Sequence, residues 1–212
     1  MKSPLAESDR DRLIEALLPD VPFDGWTQAA LRVAAQRCGI AESEAQALFP
    51  GGPPDLVAGF SRWADRRMLD RLERAALENL GTTARIRLAV LTRFDIVVPH
   101  REAVRASLAV LAMPPHAALA ARLVYETVDG IWYAAGDKAA DFSFYTKRAT
   151  LAALYGAAVL YWLDDRSQGF TDTERFVDRR LDDLGRVARF RTRIDEVLAR
   201  FPDPFRFFRA AR

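Results

Sequence analysis

Proline and glycine stand in this chain as punctuation between helix-length segments, and their placement constrains the fold more than any other feature. Pro22, the run Pro50-Gly51-Gly52-Pro53-Pro54, Pro99 and the pair Pro114-Pro115 each interrupt a backbone hydrogen-bond ladder. Between the breaks apolar residues recur three and four apart, and few stretches alternate as a half-buried strand does. The spacing predicts a helix from Ser8 to Leu18, then a loop through "VPFDGWT". Thr27 caps a second helix, closed by Gly39, and a short third helix covers Glu42–Leu48. A long fourth helix runs from Pro54 to about Leu80, and others start at Gly81-Thr82, Pro99, Pro114-Pro115, Asp141 and Thr171 or Asp172, the last reaching about Arg200. The fold class is therefore all-α, a bundle of about nine helices.

A chain of 212 residues can bury a sizeable core as one domain with a small appendage. Its 31 basic and 29 acidic side chains leave a net charge of +2, so nucleic-acid binding would need a local patch. One cysteine, Cys38, excludes an internal disulfide framework and points to a reducing compartment, where it would act as a small buried filler. The first residues lack an apolar signal core and are too acidic for a mitochondrial presequence, so the expected location is the bacterial cytoplasm. The apolar run 149–163 is shorter than the roughly 20 residues a membrane span takes, and reads as a core helix.

The segment "WTQAALRVAAQRCGIAESEAQALFPGGPPDLVAGF" resembles the helix-turn-helix of TetR-family regulators, with Ala34, Gly39, Leu48 and Phe49 at core and turn positions. The resemblance implies a TetR-like bundle with residues 1–52 as its N-terminal unit and 53–200 as the larger ligand-binding and dimerisation body. The charges depart from that family. Between Arg37 and Arg62 there is no cation, while Glu42, Glu44 and Asp55 fall where phosphate would lie. Like charge opposes counterion release, so no nucleic acid is expected as a partner. A ligand-responsive transcription regulator remains the alternative function.

A second pattern spans Asp129 to Asp165: "DGIWYAAGDKAADFSFYTKRATLAALYGAAVLYWLDD", followed by "DTERFVDRRL". It resembles the coenzyme Q biosynthesis accessory family, the ninth Coq protein and its bacterial relatives. That resemblance implies a homodimer, not itself an enzyme, which holds an isoprenoid lipid. It would present that ubiquinone precursor to the di-iron demethoxyubiquinone hydroxylase, at the inner face of the cytoplasmic membrane. It places the hydroxylase contact on Asp141, Phe144, Tyr145, Lys147 and Arg148, with Phe144 where the family commonly has Trp. Taken alone, "DFSFYTKR" also reads as an ordinary helix start with a solvated basic face.

Leu151, Leu154, Tyr155, Ala158, Tyr161 and Trp162 make one helix apolar nearly all round, as a buried or ligand-facing helix is. Leu119, Leu123, Val124, Val128, Ile131 and Trp132 form a second wall. Small residues such as Ala152 and Gly156 either leave room for a lipid chain or allow close packing; the resemblance favours the lipid. No cofactor is expected. His100 and His116 stand outside any Glu-x-x-His spacing, so no metal site is expected, and "PGGPP" lacks the N–H groups of a phosphate cradle. Asp164-Asp165 and Asp182-Asp183 read as helix-end and solvated charges. The tail 201–212 interleaves Phe205, Phe207 and Phe208 with Arg206 and Arg209, the composition of an interfacial membrane anchor or of a tail docked on the bundle.

Overall fold

The computed structural model describes residues 4–137 and 142–184, and every regular element among them is helical. α1 (Pro4–Leu17) buries Leu13, Ile14 and Leu17 on one side. α3 (Gln28–Cys38) starts where the Thr27 Oγ1 accepts the Ala30 N–H at 3.2 Å. It stops at Gly39, whose φ of 67° and ψ of 27° place it in the left-handed region that glycine enters without a Cβ penalty. α4 (Glu42–Leu48) completes the helix-turn-helix. The stretch read as a loop also holds a single-turn helix, α2 (Val21–Asp24). Pro22 presets its first turn, and Gly25 at φ 67° ends it.

α5 (Pro53–Glu73) is the central helix, packed against α1, α6 (Thr82–Val97), α7 (Arg101–Leu111) and α8 (Ala117–Ala134). Its Gly59 admits Phe49: a Cβ there would stand 2.7 Å from the Phe49 ring. α5 stops seven residues short of the Leu80 read from the sequence. Arg85 ties down the turn that follows, donating Nε to Leu80 O at 2.8 Å and Nη2 to Glu78 O at 3.5 Å. Leu77 meanwhile folds back against the core. α7 and α8 begin one turn later than expected, after the 3-10 turns Val98–His100 and Pro114–His116.

α9 (Phe142–Asp164) packs along α8, and a final described helix, α10, covers residues 171–184. α10 is not capped by Thr171 or Asp172. The cap is Asp165, whose Oδ2 accepts the Thr173 N–H at 2.8 Å and hydroxyl at 2.6 Å. Its Oδ1 accepts the Ser167 N–H at 2.7 Å and hydroxyl at 2.6 Å. Asp165 is thus buried rather than solvated, and these four bonds hold its carboxyl down at about 2 against the opposing effect of burial. Arg101 ties the same corner by donating to Trp162 O at 2.8 Å and Asp165 O at 2.7 Å. Cys38 is half-buried rather than a core filler, its Sγ donating to Arg12 O at 3.5 Å.

The N-terminal unit shares the bundle's core. The Trp26 indole N–H reaches Ala103 O on α7 at 3.3 Å, and the rings of Trp26, Phe60 and Trp63 follow at centroid spacings of 5.3 and 5.8 Å. No single described helix is long and apolar enough to cross a membrane.

Candidate lipid cavity

α5, α6, α7, α8 and α9 splay apart and leave between them a cavity of about 480 Å³. Its deep end is walled by buried side chains, among them Phe60, Phe94, Leu123 and Trp162. Its mouth lies where α7 ends and α9 approaches, at Leu111, Ala112, Ala120, Val159 and Leu160. Leu160 is 60% exposed there, although it is a leucine on a cavity rim. Gly156 lies on the wall of α9, and a Cβ added to it would meet no atom within 4 Å. The absence of a side chain at Gly156 therefore leaves space on that wall.

One sector of the deep wall is polar. Arg93 on α6, 8% exposed, donates Nε to Asp65 Oδ1 at 2.7 Å and Nη2 to the Ser61 hydroxyl at 3.2 Å. Thr127 on α8 donates to the same carboxylate at 3.1 Å. The Arg93 guanidinium lies 5.3 Å from the centroid of the Tyr155 ring. Burial works against the Arg93 charge, but Tyr155 and Asp65 more than offset it, and its pKa moves up. Burial also pushes the Tyr155 phenol up to about 12, so it keeps its proton at neutral pH.

The sequence-expected lipid residues fall in four settings. Leu123, Val124, Tyr155 and Trp162 line the cavity. Val128, Ile131, Leu151, Leu154 and Ala158 are buried in helix packing away from it. Trp132 is half-buried beneath the Lys147 ammonium, 5.5 Å from its ring centroid. Tyr161 faces outward, 38% exposed, stacked on Phe176 of α10 at 4.6 Å. A helix apolar nearly all round can direct only part of its circumference at any one cavity. Sequence reading missed α5, α6 and α7 as walls, and with them Ser61, Asp65 and Arg93. One signal was present: Arg93 is a single cation within "LAVLTRFDIVV", where a solvent-facing helix side would carry more charge.

In the stretch expected to meet a partner, Tyr145 is 69% exposed. Lys147 pairs with Asp137 at 2.9 Å, and buried Arg148 pairs with Asp129 at 2.7 Å and Asp137 at 3.5 Å, so both cations brace α9 against the end of α8 rather than forming a solvated basic face. Phe144 stands in the first turn of α9. Asp141, the tail residues Phe205 to Arg209 and the remainder of the last expected helix lie outside the described residues. The cations of the helix-turn-helix are engaged: Arg32 pairs with Glu42 at 2.7 Å and Arg37 with Asp20 at 2.6 Å. Among the described residues no group of three His, Cys, Asp or Glu side chains is placed to hold a metal.

Residues 117–188 match the family model described as COQ9. The chain is 33% identical over 184 residues to the ubiquinone biosynthesis protein COQ9, mitochondrial, of Rattus norvegicus, covering 84% of this chain and 59% of that one. It is also 33% identical to the Homo sapiens protein of the same name, covering 84% and 58%. The chain thus spans a little under three fifths of these relatives' length. A TetR transcriptional regulator from Nitrosomonas europaea superposes with a TM-score of 0.67 at 22% identity, over 82% of this chain and 97% of the other, which establishes the TetR-like fold. The chain is a homologue of the COQ9 proteins, and those names specify a biosynthetic role without naming a catalysed reaction. The expected location at the inner face of a bacterial cytoplasmic membrane is overturned, because the relatives matched are named as mitochondrial proteins.

Proposed function

We propose that this COQ9 homologue with a TetR-like fold serves ubiquinone biosynthesis as a non-catalytic carrier. It holds an isoprenoid quinone precursor in the cavity between α5 and α9 and, as a homodimer, presents it to a di-iron demethoxyubiquinone hydroxylase. Tyr145, with Phe144 beside it, is the contact for the hydroxylase, and Phe205 to Arg209 touch a lipid surface. The observation that carries this reading is the cavity itself: about 480 Å³, apolar over most of its wall, inside a chain homologous to proteins named for this pathway. At ~30 Å³ per heavy atom, the share a water takes in the liquid, that space admits about 16 heavy atoms. Each buried isoprene unit contributes roughly 3–4 kcal/mol at about 0.8 kcal/mol per CH₂ equivalent. Affinity then needs no reactive group.

A regulator of transcription would need cations for the phosphate backbone, yet Arg32 and Arg37 are paired and α4 has none. The test is extraction of the purified protein with organic solvent and mass spectrometry of the extract. An isoprenoid released in near-stoichiometric amount is expected. A clean extract, combined with no uptake of an added short-chain ubiquinone, overturns the reading.

A further inference from the structure

Acidic and basic residues alternate along most of this chain, yet from Ala103 to Tyr125 it holds no carboxylate. The only Arg or Lys in that stretch are Arg105 and Arg122, which bracket an uncharged run. This run is the corner where α7 turns into α8, and Ala112, Met113, Pro114, Pro115, Ala117 and Ala118 are all exposed on it. His116 is turned back on the chain, its Nδ1 2.8 Å from Val110 O. The corner adjoins the cavity, because Leu111, Ala112 and Ala120 line the mouth together with the exposed Leu160 of α9. Residues Thr82–Leu111 and Pro114–Ala134 together have the apolar length of a membrane span, but they are bent by 101° at this corner. They can present an apolar apex to a bilayer without crossing it as a rod.

We infer that this corner seats the cavity mouth on an anionic lipid bilayer, where the lipid enters and leaves past Leu111, Ala112 and Ala120. The inference rests on the lipid-carrier reading and says where the cavity meets the membrane; the corner is separate from the tail 201–212. Charge identifies the occupant. The Arg122 side chain is 60% exposed, and the Glu126 carboxylate 3.7 Å away is already held by Arg62 at 2.8 and 3.0 Å, so two cations share one carboxylate. Arg105 donates to Leu163 O at 2.9 Å and meets Glu102 only at 3.5 Å. Long aliphatic stems let both guanidiniums reach lipid phosphates while the apolar corner settles among the headgroups. A protein interface would be anchored by Trp, Tyr or Arg, and residues 106–121 contain none of these. Docked in this way, the ligand moves between bilayer and cavity without exposing its apolar tail to water. Tyr145 and Leu160 are separated by about 22 Å along α9 at 1.5 Å per residue, so the mouth can face the membrane while Tyr145 meets the hydroxylase.

The test uses the full chain with vesicles of phosphatidylcholine, alone or mixed with phosphatidylglycerol. In a Cys38→Ser background, an environment-sensitive fluorophore is attached through Met113→Cys or, for comparison, through Glu44→Cys on α4. On the mixed vesicles the label at position 113 is expected to shift to the blue while that at position 44 keeps its emission in water. Met113→Glu/Ala118→Glu should weaken binding to the mixed vesicles about tenfold or more at unchanged Tm, since it removes an inserted apolar group and adds repelled charge. Arg122→Gln should weaken it about fivefold, and only where phosphatidylglycerol is present. Uptake of a ubiquinone with one isoprene unit from solution should be unchanged in both variants. Vesicle binding without the blue shift, or binding that the double variant leaves intact, overturns the corner as the docking surface and leaves the carrier reading standing. So does a blue shift that needs no vesicles and grows with protein concentration, which assigns the corner to a second copy of the chain. Failure of the unsubstituted protein to take up the soluble quinone overturns the carrier reading, and the inference with it.

Discussion

Replacing Gly156 by Leu separates a hollow interior from a solid one, because the two cases predict opposite changes in stability. Gly156 lies on the α9 wall, within a 23-residue helix, with nothing within 4 Å of an added Cβ. Glycine in a helix interior is less favourable than leucine by about 0.8 kcal/mol, so the substitution should stabilise the unliganded protein by that order. For a chain of this size the gain corresponds to a rise of about 2–3 °C in Tm. The four added side-chain atoms occupy ~120 Å³ at ~30 Å³ each, about a quarter of the cavity. A ligand deprived of that space forgoes burial of about four carbons, or ~3 kcal/mol, a loss of more than 100-fold in affinity. Differential scanning calorimetry without lipid and titration with a short-chain ubiquinone give the two readouts. Gly156→Ala serves as the control, keeping the propensity gain while adding one atom. A fall in Tm of the unliganded Leu variant would refute the reasoning, since overpacking a filled core costs about 1–3 kcal/mol. A raised Tm with unchanged affinity would place the ligand elsewhere.

Asp165→Asn should destabilise the protein by about 2–3 kcal/mol, because the amide oxygen can replace only one carboxylate oxygen and leaves an NH₂ facing either the Ser167 or the Thr173 donors, and chemical denaturation at pH 7 measures it. The folded carboxyl titrates at about 2, below its ordinary 3.8, so its contribution is complete above pH 4 and is lost as pH falls toward 2; the gap between the two proteins should close over that window. Tyr145→Ala and Phe144→Ala are each expected to weaken co-precipitation of the hydroxylase at unchanged Tm, and retention by both variants would remove this contact from the proposal. In an electrophoretic shift at low salt, no sequence-specific complex with duplex DNA is expected. A specific, salt-sensitive complex would restore the regulator reading.

The local elements were legible because their causes are local. Thr27 and Gly39 start and stop α3 by hydrogen bonding and backbone conformation within their own few residues, and the prolines delimit α5, α7 and α8 to within a turn. The homology was legible for a related reason, as an ordered string of residue types from Asp129 to Asp165 needs no coordinates to be compared. The turn after α5 was not, since Arg85 holds it by reaching the Glu78 and Leu80 carbonyls from the next helix. Nor was the cap of α10, which Asp165 supplies from across a turn.

By itself, then, the amino-acid order determined that this chain is a helical bundle of TetR-like plan, related to the COQ9 proteins, with a helix-turn-helix poor in cations. Only the tertiary structure decided which apolar residues face a space and which face one another. Periodicity marks Tyr155, Ala158, Tyr161 and Trp162 as equally apolar, but the splay of five helices makes Tyr155 and Trp162 wall, Ala158 packing and Tyr161 outer surface. It also brought Ser61, Asp65, Arg93 and Thr127 together from three helices. A cavity is a property of what surrounds it, and no segment carries it alone.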